Sequence, residues 1–279
     1  MRAANRSIKY SLVLGALLAL PSFLSAQESH IGKLTGHAKS GKELYFRYCW
    51  GCHGFRGDGN GENAPYLSPT PRNFVAATFK CRSTVTGTLP TDEDLYNSIG
   101  RGFNTTNMPS WIELTDQNRA DLVAFIKTFS ARWKNDPPGV PITVPPEPKL
   151  TIESIKHGQE LFQKLECWKC HGQEGFGDGP SAATLTDSND QPIRPYNFSV
   201  GGRFKCGATN EDLYKIFITG VDGTPMPSWS DNIKPDEAWD LVFYLRSLQP
   251  MKSKEKELAR QIGLKPGAPS AAPTPAPQQ

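Results

Sequence analysis

The sequence predicts a mainly α-helical protein built from two tandem domains of one kind, joined by a proline-rich linker. Three observations carry that prediction. The chain repeats itself in order: CWGCH at 49–53 returns as CWKCH at 167–171, EDLY at 93–96 as EDLY at 211–214, and MPSW at 108–111 as MPSW at 226–229. Apolar residues in both halves recur at intervals of three and four, the period of a helix with one buried face. No convincing strand pattern is found.

Residues 1–26 read as a secretory signal peptide. Arg2, Arg6 and Lys9 supply a positive start, Ser11 to Leu20 a short apolar run, Pro21 a break, and Leu24-Ser25-Ala26 an ending on a small residue. The run is too short to span a bilayer comfortably, so no stable membrane span is expected after cleavage. The expected location is periplasmic or otherwise exported. Removing the segment takes three of the 31 basic residues and leaves 28 against 28 acidic ones, so the formal charge of +3 disappears. Such a chain has no basic field with which to hold nucleic acid.

The first domain is expected over 38–133. A helix from about Gly41, with Leu44, Tyr45 and Tyr48 on one face, runs into Cys49; a Gly- and Pro-rich loop follows. Thr91-Asp92-Glu93-Asp94 has the form of a capping box before a short helix stopping at Gly100. The MPSW loop comes next, then an amphipathic helix with Leu122, Phe125, Ile126 and Phe129. Six prolines in 134–150 predict an extended, semi-rigid linker. The second domain, 154–249, repeats the order, with Thr209 to Asp212 as capping box, Gly220 as stop, and Leu241, Val242, Leu245 and Leu248 on the closing helix. From 250 to 279 a charged, exposed helix (251–265) gives way to a Pro/Ala-rich disordered tail.

Two thiols and an imidazole within five positions admit three chemistries: a redox disulfide, half a zinc site, or a covalent haem anchor. Positions i, i+3 and i+4 of a helix share a face, so Cys49, Cys52 and His53 point one way, as do Cys167, Cys170 and His171. That geometry suits a flat macrocycle, with both sulfurs bonded to its vinyl groups and the histidine on its iron, and C-x-x-C-H is the attachment spacing of c-type haem. Zinc asks for four ligands from paired units, and a thioredoxin-like site asks for a βαβ context and no histidine. The methionines weigh the same way. Fifty-five positions separate His53 from Met108 and His171 from Met226, although the intervening stretches differ by an insertion and a deletion. Proline follows each methionine and disfavours helical geometry there, which offers a thioether from a loop as sixth ligand. The bland alternative is a pair of core methionines.

On these residues each half resembles a class I cytochrome c domain: a helix ending in CxxCH, a Met-Pro loop, and an aromatic-rich closing helix packed across the first. The glycines at 41 and 158 stand where that family lets the two helices cross closely. The pair resembles two-domain dihaem cytochromes, which implies two covalently bound haem c groups, His53/Met108 and His171/Met226 as axial ligands, and electron transfer between redox protein partners rather than catalysis. The stretch FKCRSTVTGTLPTDEDLYNSIGRG, ending in MPSW, also resembles cytochrome subunits that accompany periplasmic molybdopterin oxidoreductases, and implies such an enzyme as partner. The rival of a different class is a haem enzyme such as a dihaem peroxidase, which needs one five-coordinate iron.

Other residues are discounted or assigned bland roles. The Gly-rich runs at 56–61 and 175–180 lack the Lys-Ser/Thr of a phosphate loop and the glycine register of a calcium loop. Trp111 and Trp229 are expected either to shield the iron or to donate an indole N–H to a haem propionate. His30, His37 and His157 lie outside the repeated positions and are expected in solvent. Haem attachment leaves Cys81 and Cys206, an even remainder at equivalent places after Phe-Lys. Two like domains paired about a pseudo-twofold axis bring equivalent residues together, so a Cys81–Cys206 disulfide is expected, with two buried free thiols as the alternative.

Overall fold

The computed structural model describes residues 28–104, 106–201, 203–250 and 253–264. The expected signal peptide and the expected tail from 266 onward lie outside them. Two helical units follow one another, each built around a crossing of its first and last helices. In the first, α1 (Ala38–Tyr48) crosses α4 (Asp116–Lys127), with α2 (Trp50–His53) and α3 (Asp92–Arg101) on the flank and α5 (Arg132–Asn135) at the exit. In the second, α6 (Ile152–Lys164) crosses α9 (Pro235–Leu248), with α7 (Trp168–His171) and α8 (Asn210–Thr219) in the matching places, and α10 (Lys254–Gln261) is added behind.

Each crossing depends on a missing side chain. A Cβ at Gly41 would fall on the Asp121 carbonyl oxygen, and one at Gly158 on the Asp240 carbonyl oxygen. Glycine alone lets the backbones approach this closely. Tyr45, with no exposed surface, fills the first crossing between Phe46, Phe74, Phe125 and Phe129, and sends its hydroxyl to the Gly54 carbonyl at 2.7 Å. Phe162 and Tyr244 meet at 5.5 Å between centroids in the second. The shorter helices start as their sequences predict. Thr91 caps α3 and Thr209 caps α8, each through a reciprocal box with the aspartate three residues on.

Several elements differ from expectation. A β-hairpin precedes α1: β1 (Glu28–Ile31) pairs antiparallel with β2 (Leu34–His37). Its buried positions include Ser29 and Gly36, so no apolar alternation advertises it. Ser29 reaches the Ala120 carbonyl at 2.7 Å, and the hairpin lies on α4. Helix α3 runs on to Arg101 with Gly102 as its cap, because Gly100 stays helical. Cys49 and Cys167 do not sit within one long helix; the chain breaks at each, and Trp50–His53 and Trp168–His171 form separate single turns. Helix α10 is not merely exposed, since Ala259 is buried and Leu258, Ile262 and Leu264 pack on the second core.

The linker is strapped down rather than free. Ile142 donates its N–H to the Ser83 carbonyl at 2.7 Å, Gly139 abuts the Leu89 carbonyl, and Glu147 accepts from Asn210 at 2.8 Å. The two units also meet directly. Cys81 and Cys206 are joined by a disulfide with their Cα atoms 5.2 Å apart. Beside it Arg82, 5 % exposed, donates to the Thr219 carbonyl at 2.6 Å and lies 2.7 Å from the Asp222 carboxylate. Thr86 also donates to the Thr219 carbonyl, and Asn104 to that of Arg203.

Candidate functional site

Both units build the same site by the same local means. After Cys49 and Cys52, the single turn α2 ends at His53; Cys170 and His171 end α7. The Gly-rich loops wrap these turns and satisfy their last carbonyls. Gly59 and Gly61 donate to the carbonyls of His53 and Cys52, while Gly177 and Gly179 donate to those of His171 and Cys170. The glycines that resemble an anion loop are therefore helix-end partners.

Each histidine is aimed. His53 Nδ1 lies 3.0 Å from the Arg72 carbonyl oxygen, and His171 Nδ1 lies 3.0 Å from that of Tyr196. A carbonyl can only accept, so Nδ1 carries the proton and Nε2 keeps its lone pair. Phe74 stacks on His53 at 4.4 Å and Phe198 packs on His171 at 4.9 Å, which fixes the ring planes. Burial pushes both imidazoles below their ordinary pKa and favours the neutral, ligating form. The acceptor carbonyls and stacking rings come from a further repeat outside the expected motifs, Pro71-Arg72-Asn73-Phe74 and Pro195-Tyr196-Asn197-Phe198. Asn73 and Asn197 each accept from the backbone two residues on, and shape the turn that presents the carbonyl. Self-comparison at this spacing could have found it.

The methionines stand on matching loops. The Met108 N–H donates to Thr106 Oγ1 and that of Met226 to Thr224 Oγ1, at 3.1 and 3.2 Å. Ser110 and Ser228 return to the Gly100 and Ile218 carbonyls, both at 2.6 Å. Gly102 and Gly220, at φ +64° and +65°, turn the chain out of helices α3 and α8 with their backbones against Pro109 and Pro227. A side chain there would clash and be strained as well. Met226, Trp229, Cys167 and Trp168 all border the second core; in the first unit Cys49, Trp50 and Trp111 do so, and Tyr48 meets Trp111 at 5.3 Å.

The donor set discriminates among chemistries. Cys49, Cys52, Cys167 and Cys170 belong to no disulfide, and burial pushes the Cys49 and Cys167 thiols up to about 12, against the ready thiolate that thiol exchange needs. Among the described residues no group of three His, Cys, Asp or Glu side chains converges as a metal cage. A haem fits: it takes its own four nitrogens to the iron and asks the chain for one aimed imidazole, an apolar wall and a few polar donors. The Trp229 indole N–H is buried with no partner in the chain, and suits a haem propionate. The other histidines stand apart from this machinery. His30, His37 and His157 are exposed, with His157 paired to Asp240 at 2.8 Å.

Comparison with known proteins gives a consistent picture. A family profile described as cytochrome c matches residues 38–130 and 155–249. No curated protein matches the chain. Among solved structures, the chain is similar to one from the reducing HAO-like protein complex of Kuenenia stuttgartiensis. The two share 41% identity and a TM-score of 0.73, over 75% of this chain and 95% of that one. Among the described residues, no helix is long and apolar enough to cross a membrane.

Proposed function

The chain belongs to the cytochrome c family, and from that premise we propose that it is an exported dihaem electron carrier whose irons are each held by one histidine and one methionine. Its two cytochrome c domains carry two covalently bound c-type haems, and such domains transfer electrons. In the proposed assignment Cys49 and Cys52 bond the first haem and Cys167 and Cys170 the second. His53 and His171 supply the proximal imidazoles, and Met108 and Met226 the distal thioethers. The observation that carries the reading is the duplicated aim of Nε2, fixed in both domains by Nδ1 on a backbone carbonyl and an aromatic ring behind it. The haem supplies a one-electron couple. The chain's work is to hold the imidazole neutral, keep the thioether on a loop braced by Thr106 or Thr224, and exclude water with its aromatic residues. A His/Met pair raises the potential and leaves no position for substrate, which disfavours a peroxidase.

Two partner classes are proposed on separate grounds. The solved relative is a chain of a reducing HAO-like protein complex, which points to an HAO-like redox protein as the partner. The resemblance of the Phe79–Gly102 stretch to cytochrome subunits points to a molybdopterin oxidoreductase. Mild isolation from the source, with crosslinking and identification of what co-purifies, separates them. The ligation itself is tested by the ferric spectrum. Two low-spin irons and no activity with peroxide support the carrier; one high-spin iron with peroxide turnover overturns it.

A further inference from the structure

If each domain carries a haem, as proposed above, the seam between the domains holds three cations that form no ion pair of their own. Arg72, Lys80 and Lys205 meet there. Lys80 precedes Cys81 and Lys205 precedes Cys206, so the disulfide brings these two lysines together from opposite domains. Arg72 reaches from the first domain to the turn before Met226, where a side-chain carbon on Gly223 would lie 3.3 Å from its Nη1. The three cations act on one another. Burial first, then Arg72 and Lys205, push the Lys80 ammonium down to about 8, and burial and then Arg72 lower Lys205.

The chain offers them no direct ion pair. Among the described residues, no ion pair or hydrogen bond uses a side-chain nitrogen of Arg72, Lys80 or Lys205. Asp187 acts on Arg72 and Lys80, and Asp222 on Arg72, but each is bonded to other groups. Asp222 is paired with Arg82 at 2.7 Å, and Asp187 accepts the backbone N–H groups of Asn189 and Gln191. Like charges gathered in a half-buried seam repel strongly and call for anions. Those anions have a natural source. The Arg72 carbonyl holds His53, Phe79 lies 6.2 Å from Phe74 behind that histidine, and Phe204 lies 6.1 Å from Phe198 behind His171. Each lysine is thus one residue beyond the aromatic wall of its own domain's iron ligand, and every haem brings two propionate carboxylates.

We propose that Arg72, Lys80 and Lys205 form one cationic seat, shared across the domain boundary, for propionates of both haems. The seat makes the two redox centres electrostatic neighbours, because each cation acts on both. A positive charge beside a haem favours the reduced iron, so removing one cation lowers the potential. The test is a spectroelectrochemical titration of the holo-protein and its Lys80→Met and Lys205→Met variants, with haem content checked by pyridine haemochrome. The seat predicts that either variant lowers both midpoint potentials, and that Lys80→Arg, which keeps the charge, restores the native pair. Unchanged potentials in fully loaded variants overturn the seat; a shift confined to the haem of the mutated domain overturns its sharing. A native protein with no haem would instead sink the dihaem reading, so the two failures are distinguishable.

Discussion

Replacing Cys81 and Cys206 together by alanine is expected to loosen the two domains and lower the stability of the holo-protein. The disulfide closes a loop with a sequence separation of 125 residues. In the chain-entropy description a loop of that length restricts the unfolded chain by about 16 cal/mol/K, or about 5 kcal/mol at 25 °C. Residual compactness of the unfolded chain trims the effect to about 3–5 kcal/mol. For a protein of this size that lowers the melting temperature by about 10 °C. Docking is not abolished, because Arg82 still reaches Thr219 and Asp222 across the seam. Differential scanning calorimetry of native and double-variant protein reads the difference. The native domains are expected to melt together and the variant domains earlier and apart. Thiol titration supplies an independent check, since in the proposed assignment haem attachment consumes the other four cysteines. Two reactive thiols in denatured, unreduced native protein, or a variant that melts like the native one, would mean that no disulfide ties the domains.

Further outcomes are expected. Met226→Ala should lower one midpoint potential and open one iron to added imidazole while the haem stays attached, as read by spectral titration. Gly158→Ala places a methyl group on the Asp240 carbonyl and should destabilise the second domain by about 1–3 kcal/mol or more, measured by urea unfolding. Thr209→Ala removes the reciprocal cap of α8 and should cost about 1 kcal/mol in the same assay. Hydrogen bonds from Tyr96 and Arg119 hold the Asp116 carboxyl below its ordinary pKa. Its contribution is therefore present above about pH 4 and lost as the pH falls through the lower folded value. Asp116→Asn should then flatten the acid limb of the stability profile.

The parts of this protein written in side chains are legible in its sequence. The duplicated CxxCH and Met-Pro motifs, the two capping boxes and the glycines of both helix crossings are each a residue type forced by local chemistry, and they occur twice. Elements held through backbone atoms are harder to see. The hairpin at Glu28–His37 buries a serine and a glycine, so it carries no apolar period. The carbonyls that aim His53 and His171 belong to Arg72 and Tyr196, whose side chains differ completely. The break at Cys49 escapes helical periodicity because its neighbours stay helical on both sides. The inner face of α10 and of the turn after it hides among charges, since Leu258 and Ala259, then Ile262 and Leu264, reach the core.

The most direct measurement is a pyridine haemochrome assay on protein made with its export and haem-attachment machinery, coupled to mass spectrometry of the haem peptides. Two thioether-linked haems per chain are expected, one on the peptide holding Cys49 and Cys52 and one on that holding Cys167 and Cys170. A single haem, or free thiols at either pair in fully matured protein, would contradict the dihaem reading.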